Sequence, residues 1–134
     1  MTHPFEALQI PAPDWRSGDV AMLEEMTRRF MEEEVAPHDA RFEEQSMVDR
    51  ELWNKAGEAG LLCASMPEEY GGAGGTYAHE AVIAEAMGHV GADGFGLALH
   101  NSIVAPYILH YGSEDQKKNW LPRMATGELV GAIA

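Results

Sequence analysis

Apolar residues return every three or four positions along most of this chain, and that period commits it to helices before any other property is weighed. The first stripe is Met22, Leu23, Met26, Phe30 and Met31, with Glu24, Glu25, Arg28, Arg29 and Glu32 between its members. It resumes at Val35, His38 and Phe42 after an interruption at Pro37, where the ring removes a backbone donor and crowds the preceding turn. The spacing predicts a helix over 18–44, kinked or broken near Pro37. A second helix fits 49–59: Asp49 is placed to cap it, Leu52, Trp53 and Ala56 form one apolar face, and Gly60 suits a left-handed stop.

The segment 61–66 is apolar without a clear period, and 68–75 is a loop by its glycines. A third helix begins at Thr76 or the glycines before it and runs to Val90, with Tyr77, Ala81, Ala84, Met87 and Gly88 on a small-residue side that admits a close neighbour. Residues 95–111 are apolar nearly all round, which predicts a helix buried on most sides and bent at Pro106. Ser113 and Gln116 form a capping box for the last helix, Trp120, Leu121 and Met124 give it a buried face, and Gly127 ends it. The tail after Glu128 reads Leu-Val-Gly-Ala-Ile-Ala, a strand-like run. The fold class is therefore all-α, a bundle of about five helices ending in the start of a β-strand. Its parts are an extended, proline-marked segment over 1–17, a helical domain over 18–127, and the strand start over 128–134.

Charge and length exclude several classes. Nine Lys and Arg stand against 22 Asp and Glu, a net charge of −13, so the chain repels phosphate backbones and nucleic acid is not its partner. No stretch approaches the ~20 apolar residues of a membrane span; the closest, 95–109, is broken by His100, Asn101, Ser102 and Pro106, which excludes membrane insertion. Cys63 is the lone cysteine and lies in an apolar run without a basic neighbour, so it reads as a small buried hydrophobe in a reducing compartment. The first residues resemble neither a secretory signal nor an Arg-rich transit peptide, and the expected location is the cytoplasm.

Catalytic signatures are sparse. His79-Glu80 begins like a zinc-protease motif, but Ile83 stands where its second histidine belongs. The six histidines are scattered over different elements, so no metal site is expected. The glycines over 71–75 lack the Lys-Ser/Thr pair of a phosphate loop and suit a sharp turn. No carboxylate is singled out for acid–base work, and the residues nominate no catalytic group.

Four patterns in fixed order nevertheless resemble the amino-terminal helical domain of the acyl-CoA dehydrogenase family. They are Phe30-Met31-Glu32-Glu33-Glu34-Val35-Ala36-Pro37-His38; Ala59-Gly60-Leu61-Leu62 followed by Met66-Pro67-Glu68-Glu69-Tyr70-Gly71-Gly72-Ala73-Gly74; His100-Asn101-Ser102 leading through Pro106 to Tyr111-Gly112-Ser113-Glu114-Asp115-Gln116-Lys117; and Trp120-Leu121-Pro122 with Thr126-Gly127-Glu128. The resemblance implies an enzyme in which this helical domain precedes a β-barrel-like middle domain and a four-helix carboxy-terminal domain. FAD and the acyl thioester lie between those two, and a carboxy-terminal glutamate takes the α-proton while a hydride passes to the flavin. The chain stops at Ile133-Ala134, before the family's Met-Thr-Glu-Pro strand, so on this resemblance it is a truncated dehydrogenase, inactive alone and without tightly bound FAD.

By the same resemblance, Leu97, Leu99, Ile103 and Val104 belong to the wall of the acyl pocket, and Ile133 reaches the flavin. Tyr70 and Gly71 are turn residues. The expected partners are an acyl-CoA substrate, an electron-transfer flavoprotein and further copies of the chain in a homo-oligomer. A free-standing helical interaction module without catalysis, and a relative oxidising a substrate other than an acyl-CoA, are the alternatives.

Overall fold

Helices form where the apolar period places them, and their interruptions coincide with prolines. The computed structural model describes residues 4–134. Near the start, α1 (Pro4–Ala7) is a single helical turn inside a segment expected to be extended; proline is tolerated in a helix's first turn, where its missing donor costs little. The first three residues of that expected segment lie outside the described ones. Its other end docks through Arg16, which donates to both carboxylate oxygens of Glu24 at 2.8 and 2.7 Å and to Glu85 at 2.6 Å.

The first long run begins with α2 (Gly18–Phe30), widens to a π turn over Met31–Val35, tightens to a 3₁₀ turn over Ala36–His38, and resumes as α3 (Asp39–Gln45). The break expected at Pro37 is thus a change of winding, at a residue whose ring removes one backbone donor and crowds the turn before it. The buried line along this run is Val20, Thr27, Met31, Val35 and Phe42. It is rotated from the stripe read in the sequence, since Met22 and Met26 face outward. Thr27 takes an inner place because its hydroxyl donates to the Leu23 carbonyl at 2.7 Å and so leaves no orphaned group. Ala21, Met22, Met26, Phe30 and Ala59 instead line an open groove of about 630 Å³.

Next comes α4 (Arg50–Glu58), with Leu52, Trp53 and Ala56 buried as its pattern predicts. Asp49 does not cap it through its side chain. Its carboxylate is taken by Arg41, at 2.9 and 2.6 Å, and by Gln45 at 3.0 Å, and these bonds hold its pKa down to about 2.

The aperiodic segment after α4 serves two cores. Leu61, Leu62 and Ala64 join Met31, Phe42, Trp53, Ile83 and Phe95 in one. Cys63 and Met66 join Tyr70, Ala105, Leu121 and Met124 in the other. Side chains sent alternately to two sides have no helical period, so the pattern offered none.

The glycine loop folds back on this segment: Gly74 and Gly75 donate to the carbonyls of Met66 and Ala64 at 2.8 and 2.9 Å. From it rises α5 (Tyr77–Val90), which packs along α2 and ends at Gly91 with φ +69°. Tyr77, Ala84 and Gly88, expected on its packed side, face outward; the helix buries Glu80, Val82, Ile83, Ala86 and Met87.

The last two runs are α6 (Leu97–Leu99), which passes through a π turn at His100–Val104 into α7 (Ala105–Tyr111), and α8 (Glu114–Ala125). Again the π turn ends two residues before a proline, Pro106. The predicted capping box closes α8: the Gln116 N–H donates to Ser113 Oγ at 3.3 Å and the Ser113 N–H to Gln116 Oε1 at 2.8 Å. Leu121 and Met124 are buried as expected, whereas Trp120 is partly exposed. Gly71, at φ +84°, lies against Pro122, whose Cα would be 2.9 Å from a side chain there. The all-α fold class holds. The tail bends at 128–129 and has no regular structure over 130–134, forming no strand among the described residues, because a lone run has no neighbour to complete a ladder.

Candidate functional site

Two polar residues sit inside the most apolar helical run, and the geometry around them organises the site. Asn101 is fully buried; its Oδ1 accepts from the Cys63 N–H at 2.9 Å and its amide donates to the Leu61 carbonyl at 2.7 Å. These bonds satisfy a backbone stretch where the chain changes core and Cys63 adopts φ +56°.

His100, also fully buried, packs against the Trp53 ring at 5.2 Å between centroids. Its Nε2 lies 3.1 Å from the Met124 carbonyl, and its Nδ1 lies 2.9 Å from the Gly131 N–H. A carbonyl can only accept and an amide N–H can only donate, so the ring is the neutral Nε2–H tautomer. Burial pushes its pKa below the ordinary imidazole value, partly offset by the bond to Met124.

Nothing here generates a nucleophile. Cys63 Sγ lies 4.0 Å from His100 Nε2, but desolvation first, and the charge of Glu80 second, push the thiol up to about 12. Glu80 is buried, with Oε1 accepting from the Ser65 N–H at 2.9 Å. His79, set aside with it as an incomplete zinc motif, takes the Thr76 N–H on Nδ1 at 2.9 Å and caps α5. Among the described residues no group of three His, Cys, Asp or Glu side chains is placed to hold a metal ion.

The four pocket candidates fall on two sides of their helix. Leu97 is fully buried in the first core, and Val104 packs on the second. Leu99 and Ile103 lie on the opposite side and continue as Tyr107 and Tyr111, a row at intervals of four whose rings at 107 and 111 stand 5.3 Å apart. This row opens progressively to solvent: Leu99 is half-buried, Ile103 is 42% exposed, Tyr107 66% and Tyr111 80%. The helix is therefore not buried on most sides, as its composition had predicted.

Ile133 is 60% exposed, two residues past the Gly131 clamp. Among the described residues no hydrogen bond engages the backbone of 132–134. Ile133 is thus an exposed apolar side chain on a stretch whose backbone makes no hydrogen bond among the described residues.

His100 and Asn101 are the site residues that sequence reasoning missed. They entered as breaks in an apolar run and as the start of one family pattern, with no role of their own. The available signal was a polar pair in the middle of a stripe, which must find hydrogen-bond partners wherever it is buried.

The model of the family described as the acyl-CoA dehydrogenase N-terminal domain matches residues 17–128. The mitochondrial long-chain specific acyl-CoA dehydrogenase of Sus scrofa is 43% identical over 118 residues, covering 88% of this chain and 27% of that protein. Among solved structures, an acyl-CoA dehydrogenase from Geobacillus kaustophilus superposes with a TM-score of 0.83 at 39% identity, over 89% of this chain and 31% of that one. A Bacillus anthracis acyl-CoA dehydrogenase complexed with FAD gives 0.80 at 36%, over 91% and 21%. The chain spans about a quarter of the length of the long-chain specific relatives it matches. Matched along nearly all of its helical part, in sequence and in fold, the chain belongs to the acyl-CoA dehydrogenase N-terminal domain family.

Proposed function

We propose that this chain is the helical domain of a FAD-dependent acyl-CoA dehydrogenase and forms one wall of the pocket for the acyl chain, with Leu99 and Ile103 facing the substrate. The observation that carries this reading is the open apolar row of Leu99, Ile103 and Tyr107 on a helix whose other side is packed into two cores. An acyl chain needs a wall that is apolar and rigid, and a row backed by core residues is both. Leu97 and Val104 act behind that wall: Leu97 fixes the helix in the first core and Val104 meets the tail.

On this reading the chain contributes no catalytic group. FAD binds in the complete enzyme, where Ile133 supplies an apolar contact at its edge, and electrons leave to an electron-transfer flavoprotein. The exposed apolar row also favours a homo-oligomer, and light scattering across a concentration range should show mass rising above that of the monomer; a constant monomer contradicts that part.

The test of function is anaerobic addition of acyl-CoA thioesters to the flavin-containing enzyme that carries this chain. Bleaching of the oxidised flavin, with formation of the α,β-unsaturated thioester, is the expected result. A flavin that no acyl-CoA reduces would point to a relative with another substrate. Residues 1–134 alone are expected not to co-elute with FAD in gel filtration, and stoichiometric co-elution would contradict the assignment of Ile133 to an edge contact.

A further inference from the structure

We propose that His100 is a proton-sensitive clamp on the 128–134 segment, holding the Gly131 backbone while the ring is neutral and letting go when the ring is protonated. Both ring nitrogens are committed to backbone groups whose roles cannot be exchanged. Nε2–H donates to the Met124 carbonyl at 3.1 Å, and Nδ1 accepts from the Gly131 N–H at 2.9 Å. A second proton must go on Nδ1, where it would face another donor, so gaining it and keeping the Gly131 bond are incompatible.

The tail is shaped for this contact. A Cβ at Gly131 would lie 2.7 Å from Val104 Cγ1, so only glycine lets the tail backbone come close enough to reach the ring. The remaining anchors of the tail are at its near end. The Leu129 N–H donates to the Arg123 carbonyl at 2.9 Å, and the Glu128 carboxylate pairs with Arg123 at 2.8 Å. Past Gly131 no hydrogen bond holds the backbone among the described residues. Release at His100 therefore frees 130–134, Ile133 included, and leaves 128–129 in place.

The electrostatic surroundings allow the ring to titrate by itself. From the 61–66 segment it faces Cys63, whose thiol stays protonated. On α4 and α8, which supply Trp53 and the Met124 carbonyl against the ring, three cations have partners of their own. Lys55 on α4 pairs with Glu34 at 2.7 Å, Arg50 on α4 donates to the Glu128 carbonyl, and Arg123 on α8 pairs with Glu128. Because burial lowers the folded-state pKa, the clamp is fully present above the unfolded histidine's value of about 6.5 and is lost as pH falls below it through the folded value.

The experiment is NMR on the uniformly labelled 134-residue chain. Long-range proton–nitrogen correlations read the His100 tautomer, and the Gly131 amide reports the clamp through its exchange protection, corrected for intrinsic rate at each pH. Near neutrality Nε2 carries the proton and Gly131 is protected. Between about pH 6.5 and the His100 midpoint the protection factor of Gly131 falls by up to about tenfold per pH unit and is lost below that midpoint, while Val82 and Ile83 in the core keep theirs.

His100→Asn places a non-titrating acceptor near Nδ1 and should remove the pH dependence while the amide stays held. Three results would overturn the proposal: a proton on Nδ1 near neutrality, Gly131 protection that ignores the His100 titration, or loss of core protection at the same midpoint. The wild-type measurement decides the matter even if the variant fails to fold.

Discussion

Asn101 shows how much one side chain can carry when it is the sole partner of buried backbone. It closes two hydrogen bonds, to the Cys63 N–H and the Leu61 carbonyl, from a position with no exposed surface. Asn101→Leu keeps the size and removes both bonds, leaving a donor and an acceptor orphaned. The expected loss is about 2–6 kcal/mol, from the usual 1–3 kcal/mol for each of the two buried unsatisfied groups. Chemical denaturation at neutral pH measures it, and a loss under about 1 kcal/mol would mean that the segment finds other partners. Cys63 beside it needs no such partner for its thiol, and its burial follows from an apolar run without a nearby cation, as the sequence indicated. Asp49 is the contrary case. Its place before α4 suits a cap, but Arg41 offers two charge-assisted bonds to the same oxygens, and a bidentate ion pair outcompetes a backbone amide for a carboxylate.

At the scale of elements, close approach sets the sign of glycine substitutions. Gly57 lies within α4 and Gly88 within α5, and helix propensity alone favours alanine at both by up to about 1 kcal/mol. A Cβ at Gly88 meets nothing within 4 Å, whereas one at Gly57 runs into the Thr126 carbonyl. Gly88→Ala should therefore raise the melting temperature by a few degrees and Gly57→Ala should lower it. Equal shifts of one sign would show that α4 and the end of α8 do not approach as described. Helices were legible in the sequence because their signals are local: the apolar period, the Ser113–Gln116 box and the glycine stops all act within a few residues. The π turns were not, since a proline announces a disturbance without saying how the backbone absorbs it. Nor was the rotated face of α2, which depends on the Thr27 hydroxyl bonding within its own helix. The His100–Gly131 contact joins residues 31 apart and follows no period, so only the folded chain reveals it.

Over the whole molecule, two cores meet at Leu61–Met66, and one apolar row is left facing outward between α6 and the end of α7. The proposed pocket residues come only from the family resemblance, which names a helix but cannot tell its two sides apart. Packing does so by drawing Leu97 inward and leaving Leu99 and Ile103 open. If that open side is the wall of an acyl pocket, Ile103→Trp should shorten the pocket without disturbing either core, because Ile103 is 42% exposed in this chain. The decisive measurement is kcat/KM of the intact enzyme across a series of acyl-CoA chain lengths, for wild type and Ile103→Trp, with matching melting temperatures as the check on folding. A pocket wall predicts that the longest substrates lose at least about tenfold relative to the shortest, a difference of ~1.4 kcal/mol in transition-state binding. A profile that keeps its shape, whatever its height, would contradict the placement of this helix against the acyl chain.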